Sequence, residues 1–122
     1  MIPFIESQFD PYAQSSTGAS GIWQFIPSTA KENGLKKNWW YDARRDIVSS
    51  TDAAYNFLTK LHQEHDDWLI AIAAYNAGPS RIKKEIEKNK KNGLPTDFWS
   101  LNLPRETKAY VPKILAIVEV IR

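Results

Sequence analysis

A glutamate, Glu6, stands directly after an apolar run at positions 2–5 and is followed by Ser7. A carboxyl beside apolar side chains is partly desolvated. That favours its protonated form and suits it to donate a proton. Asp10-Pro11 comes next, then a small polar loop over 14–20, QSSTGAS, ending at Gly21, and then Ile22-Trp23-Gln24-Phe25. An acid, a tight small-residue loop and a Trp-Gln pair therefore fall within about twenty positions. Small residues let a backbone approach another group closely, and loops on a rigid scaffold often carry sites. Taken alone, Glu6 also reads as a solvated surface residue.

Glycoside cleavage commonly uses two carboxylates. Asp10 lies four residues after Glu6 and would share its face if a helix continued through it. Pro11 argues against that and makes Asp10 a turn-former. Asp42, Asp46 and Asp97 have no place fixed by the sequence. The residues fit a reaction run by one carboxylate better than by a pair.

Three motifs, in order, carry a resemblance: Glu6-Ser7 with Ser15 and Gly18-Ala19-Ser20-Gly21-Ile22-Trp23-Gln24; Ala74-Tyr75-Asn76-Ala77-Gly78; and Glu106-Thr107-Lys108-Ala109-Tyr110-Val111. They resemble the motifs of the lytic transglycosylases with a soluble-lytic-transglycosylase, goose-lysozyme-like domain, nearest to the membrane-bound D subfamily. The likeness runs from about Ile5 to the end of the chain. It implies a lysozyme-like helical domain around a glycan-binding groove, with Glu6 as the sole catalytic acid/base. It implies cleavage between N-acetylmuramic acid and N-acetylglucosamine that leaves 1,6-anhydromuramic ends. It also implies peptidoglycan strands as partner, no cofactor or metal, and a parent protein exported to the bacterial envelope.

Ser15, Gln24, Asn76 and Tyr110 match family positions that line the sugar groove or sit beside the acid. Read without the family, they are a turn residue, a surface amide, a helix-end residue and a core ring. Tyr75 and Trp23 have amphipathic rings that suit a sugar's C–H face and suit a core equally. A goose-type hydrolase and a catalytically weak peptidoglycan-binding domain remain the alternatives.

Other features read as structural. His62 and His65 share a helix face, but zinc needs three or four ligands, and no further cluster is evident. The run Arg81, Lys83, Lys84, Lys88, Lys90, Lys91 is interleaved with Glu85 and Glu87, as on a solvated helix face, so no nucleic-acid partner is expected. Trp39-Trp40 is read as a loop anchor in preference to a substrate platform.

The elements that must position these groups are helical. The 122 residues, 43% hydrophobic and 25% charged with a net charge of +2, suit one soluble domain, and a monomer is expected. Cysteine is absent, and no apolar run approaches the ~20 residues of a membrane span. No signal peptide is visible. Against the family, the chain reads as truncated at its start, which predicts a loosely held segment before Glu6. Helices are expected over 2–9, 21–26, from Pro27 towards Gly34, from a cap among Ser49, Ser50, Thr51 and Asp52 to His65, over 68–77 capped by Asp67, over 80–92, as a single turn in 96–101, and from Pro104 to Arg122. Val111, Ile114, Leu115, Val118 and Ile121 form the expected core stripe of the last helix. No convincing strand is present, so the class is all-α.

Overall fold

Prolines and glycines set most element boundaries in the computed structural model, which describes residues 1–121. Six α-helices follow one another among the described residues: α1 (Ile2–Ser7), α2 (Pro27–Glu32), α3 (Ile47–His65), α4 (Trp68–Ala77), α5 (Pro79–Lys91) and α6 (Arg105–Val120). Single 3-10 turns form at Ala43–Arg45 and Phe98–Ser100. No strand occurs among the described residues, only isolated bridges between Gln14 and Ser20, Ser20 and Phe25, and Lys37 and Asp42. Among them, no helix is long and apolar enough to cross a membrane.

The chain divides into two compact units, residues 1–57 and residues 58 onward. In the first, α1 stops at Ser7, earlier than Phe9, because Gln8 and Phe9 take left-handed backbone with φ of 52° and 62°. Its start is not loose. Ile2 and Pro3 are buried, and the Ser7 hydroxyl donates to the Ile22 carbonyl at 2.8 Å. Residues 21–24 form a turn and not the expected helix, since Gly21 and Gln24 both have positive φ, 84° and 52°. A right-handed helix cannot pass through such residues. Helix α3 begins at Ile47, ahead of the expected caps. Asp46 does the capping by accepting from the Ser49 N–H at 2.9 Å, the usual reach of an N-cap side chain.

In the second unit α4 is the central element, packed against both α5 and α6. Asp67 caps it as expected, accepting from Leu69 and Ile70 N–H. Ile70, Ala71, Ala73 and Ala74 are buried, and the alanines leave room for close approach of neighbours. In α5, Ile82 is buried as expected, while Asn89 is buried within the basic run because its Nδ2 donates to Pro95 O and Ser100 O at 2.9 and 3.0 Å. The stripe of α6 differs from the expected one. Thr107, Tyr110, Val111 and Ile114 are buried, whereas Leu115, Val118 and Ile121 are exposed. The apolar periodicity runs on past the last residue that has core to face. The expected final residue of this helix, Arg122, lies outside the described residues.

Candidate active site

Glu6 lies in the last turn of α1 and is half-buried. Its neighbour Ser7 fixes that turn to the Gly21–Gln24 segment through the bond to Ile22 O, with Pro3 O at 3.1 Å as the alternative acceptor. The acid is thereby held to the stretch that carries Trp23 and Gln24.

The small-residue loop is closed by its own side chains. Ser15 N–H donates to Ala19 O at 2.9 Å, and the Ser15 hydroxyl accepts from Ala19 N–H at 3.0 Å. Ser15 thus builds the loop, and its Oγ also lies 3.0 Å from Thr17 Oγ1. Gln24 holds the other end. Its Nε2 donates to Gly21 O at 2.7 Å and Ala13 O at 3.0 Å. Those bonds offset the strain of a non-glycine residue in left-handed backbone, a cost of order 1–3 kcal/mol that recurs at functional sites. They also use the amide's donors. Trp23 is 7% exposed, its Nε1 donates to Thr51 Oγ1 at 2.9 Å, and its ring meets Tyr55 edge-on at 6.2 Å. Of its two sequence readings, this packing is that of a core ring.

Beneath the loop is a group the sequence reading missed. Arg44 and Asp42 form a bidentate pair, with Nη2 to Oδ2 at 2.7 Å and Nε to both carboxylate oxygens at 3.0 and 3.1 Å. The two side chains are only 5% and 10% exposed. Arg44 Nη1 donates to Gly18 O at 2.7 Å and to Phe25 O at 3.0 Å, one carbonyl on each side of Gly21. Gly21 packs so closely on this strut that a Cβ there would stand 1.8 Å from Arg44 O. The guanidinium bonds hold the Asp42 carboxyl below its ordinary range, against the opposing effect of burial. Asp46 is likewise held low, first by the Ser49 N–H it caps.

These bonds also bear on a second carboxylate. Asp10 accepts from Tyr12 N–H at 2.9 Å, the turn expected before Pro11. Asp42 is committed to Arg44 and Asp46 to the start of α3. The remaining acids of this unit, Glu32 and Asp52, are exposed on α2 and α3.

In the second unit, Tyr75 and Asn76 end α4, both half-buried. Asn76 Oδ1 accepts from the Thr107 hydroxyl at 2.8 Å, tying the end of α4 to the first turn of α6. Thr107 is itself buried, and Tyr110 follows it by three residues on the same buried stripe. The motif stretch at 106–111 thus supplies a threonine that sets the amide of Asn76, leaving Nδ2 as its donor. The signal was present: Thr107 precedes Tyr110 by one helical turn. His62 stacks on Trp68 with centroids 4.0 Å apart, an aromatic contact at the ends of α3 and α4. Trp39 and Trp40 anchor nothing: each is 89% exposed.

The Transglycosylase SLT domain family matches residues 1–96. Membrane-bound lytic murein transglycosylase D of Escherichia coli is 53% identical over 123 aligned residues, covering 100% of this chain and 27% of the relative. Membrane-bound lytic murein transglycosylase F of Desulfosudis oleivorans is 33% identical over 77% of this chain and 21% of its own length. The chain thus spans about a quarter or less of these two relatives. The crystal structure of the 70 kDa soluble lytic transglycosylase of Escherichia coli superposes with a TM-score of 0.71 at 26% identity, over 94% of this chain and 19% of that one. The all-α, lysozyme-like class expected from the sequence is the fold observed. With a family match over most of its length and a relative at 53% identity along the whole of it, the chain belongs to the Transglycosylase SLT domain family.

Proposed function

We propose that residues 1–122 act as one lytic transglycosylase domain, cleaving peptidoglycan strands between N-acetylmuramic acid and N-acetylglucosamine in the bacterial cell envelope. The observation that carries this reading is Glu6 itself. It is a half-buried carboxylate at the end of α1, pinned through Ser7 to the Gly21–Gln24 turn, in a chain whose relatives are named lytic murein transglycosylases. Protonated Glu6 donates to the glycosidic oxygen as the C1–O bond breaks. The acetamido oxygen of the muramic sugar stabilises the cation at C1. Ionised Glu6 then takes the proton of the C6 hydroxyl, whose oxygen bonds to C1. Water is not consumed, and one carboxylate serves both steps. That fits a unit whose Asp10, Asp42 and Asp46 are all engaged elsewhere.

Ser15, Gln24, Tyr75 and Asn76 are proposed to contact glycan, and the buried Tyr110 to support the site from within its unit, by their match to the family motifs. Gln24 would accept from a sugar hydroxyl or amide, and Asn76 would donate from Nδ2. Trp23, as a core ring, would support Gln24. The test is Glu6→Gln, which keeps shape and removes the titratable proton. Turnover of purified sacculi should fall by about a thousandfold or more, the scale of general acid–base catalysis, with the unfolding midpoint nearly unchanged. Retention of more than about a thousandth of the activity would remove Glu6 from this role.

A further inference from the structure

Residues 36–43 form a closed hairpin-like loop. Ala43 N–H donates to Lys36 O at 2.9 Å, Lys37 bridges to Asp42, and Asn38 N–H donates to Tyr41 O at 2.7 Å. Trp40 N–H donates to Asn38 Oδ1 at 2.8 Å, fixing the tip. On this ordered tip Trp39 and Trp40 are each 89% exposed, and Tyr41 is 44% exposed. Indoles are among the largest apolar side chains, and folding normally buries them. Here the backbone bonds form without them, so the fold gives no reason for their presence. The base of the loop runs directly into Arg44, which holds Gly18 O and Phe25 O of the segment containing Ser15 and Gln24.

We propose that Trp39 and Trp40 form an additional binding subsite for an acidic glycan strand, outside the residues assigned to bond cleavage. The proposal rests on the glycan-strand reading above. Sugar rings present C–H faces that lie on indoles, while their hydroxyl and acetamido groups accept from an indole N–H. Charge at the tip selects an acidic strand. Lys36, Lys37 and Arg45 are exposed, whereas Asp42 is neutralised by Arg44 and Asp46 is occupied as a helix cap. Lactyl and stem-peptide carboxylates would meet those cations. A bilayer fits less well. The aromatic run is only three residues long, and insertion would desolvate the flanking, exposed Lys37 and Asn38.

The experiment compares wild type with Trp39→Ala/Trp40→Ala on two substrates, long glycan strands from purified sacculi and a short muropeptide tetrasaccharide. For long strands the double variant should raise KM about tenfold, or ~1.4 kcal/mol, with kcat unchanged. Kinetics on the tetrasaccharide and the urea midpoint should not move. In a Glu6→Gln background, co-sedimentation with sacculi should weaken by the same factor, a readout that does not need turnover. If wild type cleaves neither substrate, the functional reading fails, and sedimentation still decides this one. Unchanged KM and sedimentation on long strands would overturn the subsite. So would equal losses on both substrates, which would make the tip merely structural. Loss of binding to phosphatidylglycerol vesicles with glycan binding intact would make it a bilayer contact. Loss of a concentration-dependent dimer with glycan binding intact would make it a self-association surface.

Discussion

Replacing Arg44 by Met removes the cation of a nearly buried ion pair and two anchors of one loop, at Gly18 O and Phe25 O, in a single step. The two side chains are 5% and 10% exposed, so water does little to replace the lost partner of Asp42. Phe25 O keeps the bond from Ser20 N–H at 3.0 Å, but the guanidinium bonds to Gly18 O and Asp42 go. Breaking a buried pair by removing one partner costs about 3–5 kcal/mol. In a domain of this size that is about 10–20 °C in Tm and a third or more of typical total stability. Arg44→Lys should lose less, since one ammonium keeps the charge but cannot reach the carboxylate and both carbonyls. Asp42→Asn strands the guanidinium and should cost a similar amount, while Arg44→Met/Asp42→Leu should cost much less than the sum of the single changes. Urea unfolding of the four variants gives the numbers. The pH dependence has a definite sign. The folded-state pKa of Asp42 lies below its ordinary value of 3.8, chiefly through the Arg44 hydrogen bonds. The stability from the pair is therefore complete above that value and is lost as the pH falls through the lower, folded-state one. The gap between wild type and Arg44→Met should be widest near neutrality and shrink in acid. A loss below about 1 kcal/mol for Arg44→Met, or strict additivity with Asp42→Asn, would refute the strut.

Gly21→Ala puts a Cβ 1.8 Å from Arg44 O at a backbone φ of 84°, so it should destabilise by about 2–4 kcal/mol and lower turnover. A urea midpoint within experimental scatter of wild type would show that the loop yields. Thr107→Val keeps the buried shape and removes the donor to Asn76. It should cost about 1–2 kcal/mol, and a double-mutant cycle with Asn76→Ala should show coupling of about 1 kcal/mol. Additivity within a few tenths would dissolve that link.

Elements were legible where the signal was local. Asp67 before an apolar run, Pro27 and Gly78-Pro79 each mark a boundary through a side chain or backbone property that needs no distant partner. The start of α3 was misplaced because Asp46 and the four residues from Ser49 to Asp52 are all competent caps. Which of them serves depends on what the preceding 3-10 turn allows. The end of the α6 stripe was misread because periodicity reports which face is apolar and not how far the core extends. Within the site, Glu6 and the motif residues were visible as types in sequence. What holds them was not. Arg44 reaches acceptors 26 and 19 residues away, so its role exists only once the loop is folded. Gln24 reads as a surface amide until its left-handed backbone and its bonds to Ala13 and Gly21 are seen. Trp39 and Trp40, read as a loop anchor in preference to a substrate platform, stand in solvent because the loop closes through Asn38 without them.

The central claim is that one carboxylate cleaves glycan by intramolecular closure. In the proposed mechanism ionised Glu6 would be the nearest base after cleavage, and the muramic C6 hydroxyl would react at an effective molarity on the order of 10⁵ M or more. Digestion of purified sacculi in water enriched in heavy oxygen, with mass spectrometry of the products, tests this directly. The account predicts 1,6-anhydromuramic ends that carry no label. Labelled reducing-end muramic acid as the main product would contradict it, and would require a water-activating group that Asp10, Asp42 and Asp46 in their observed roles do not supply.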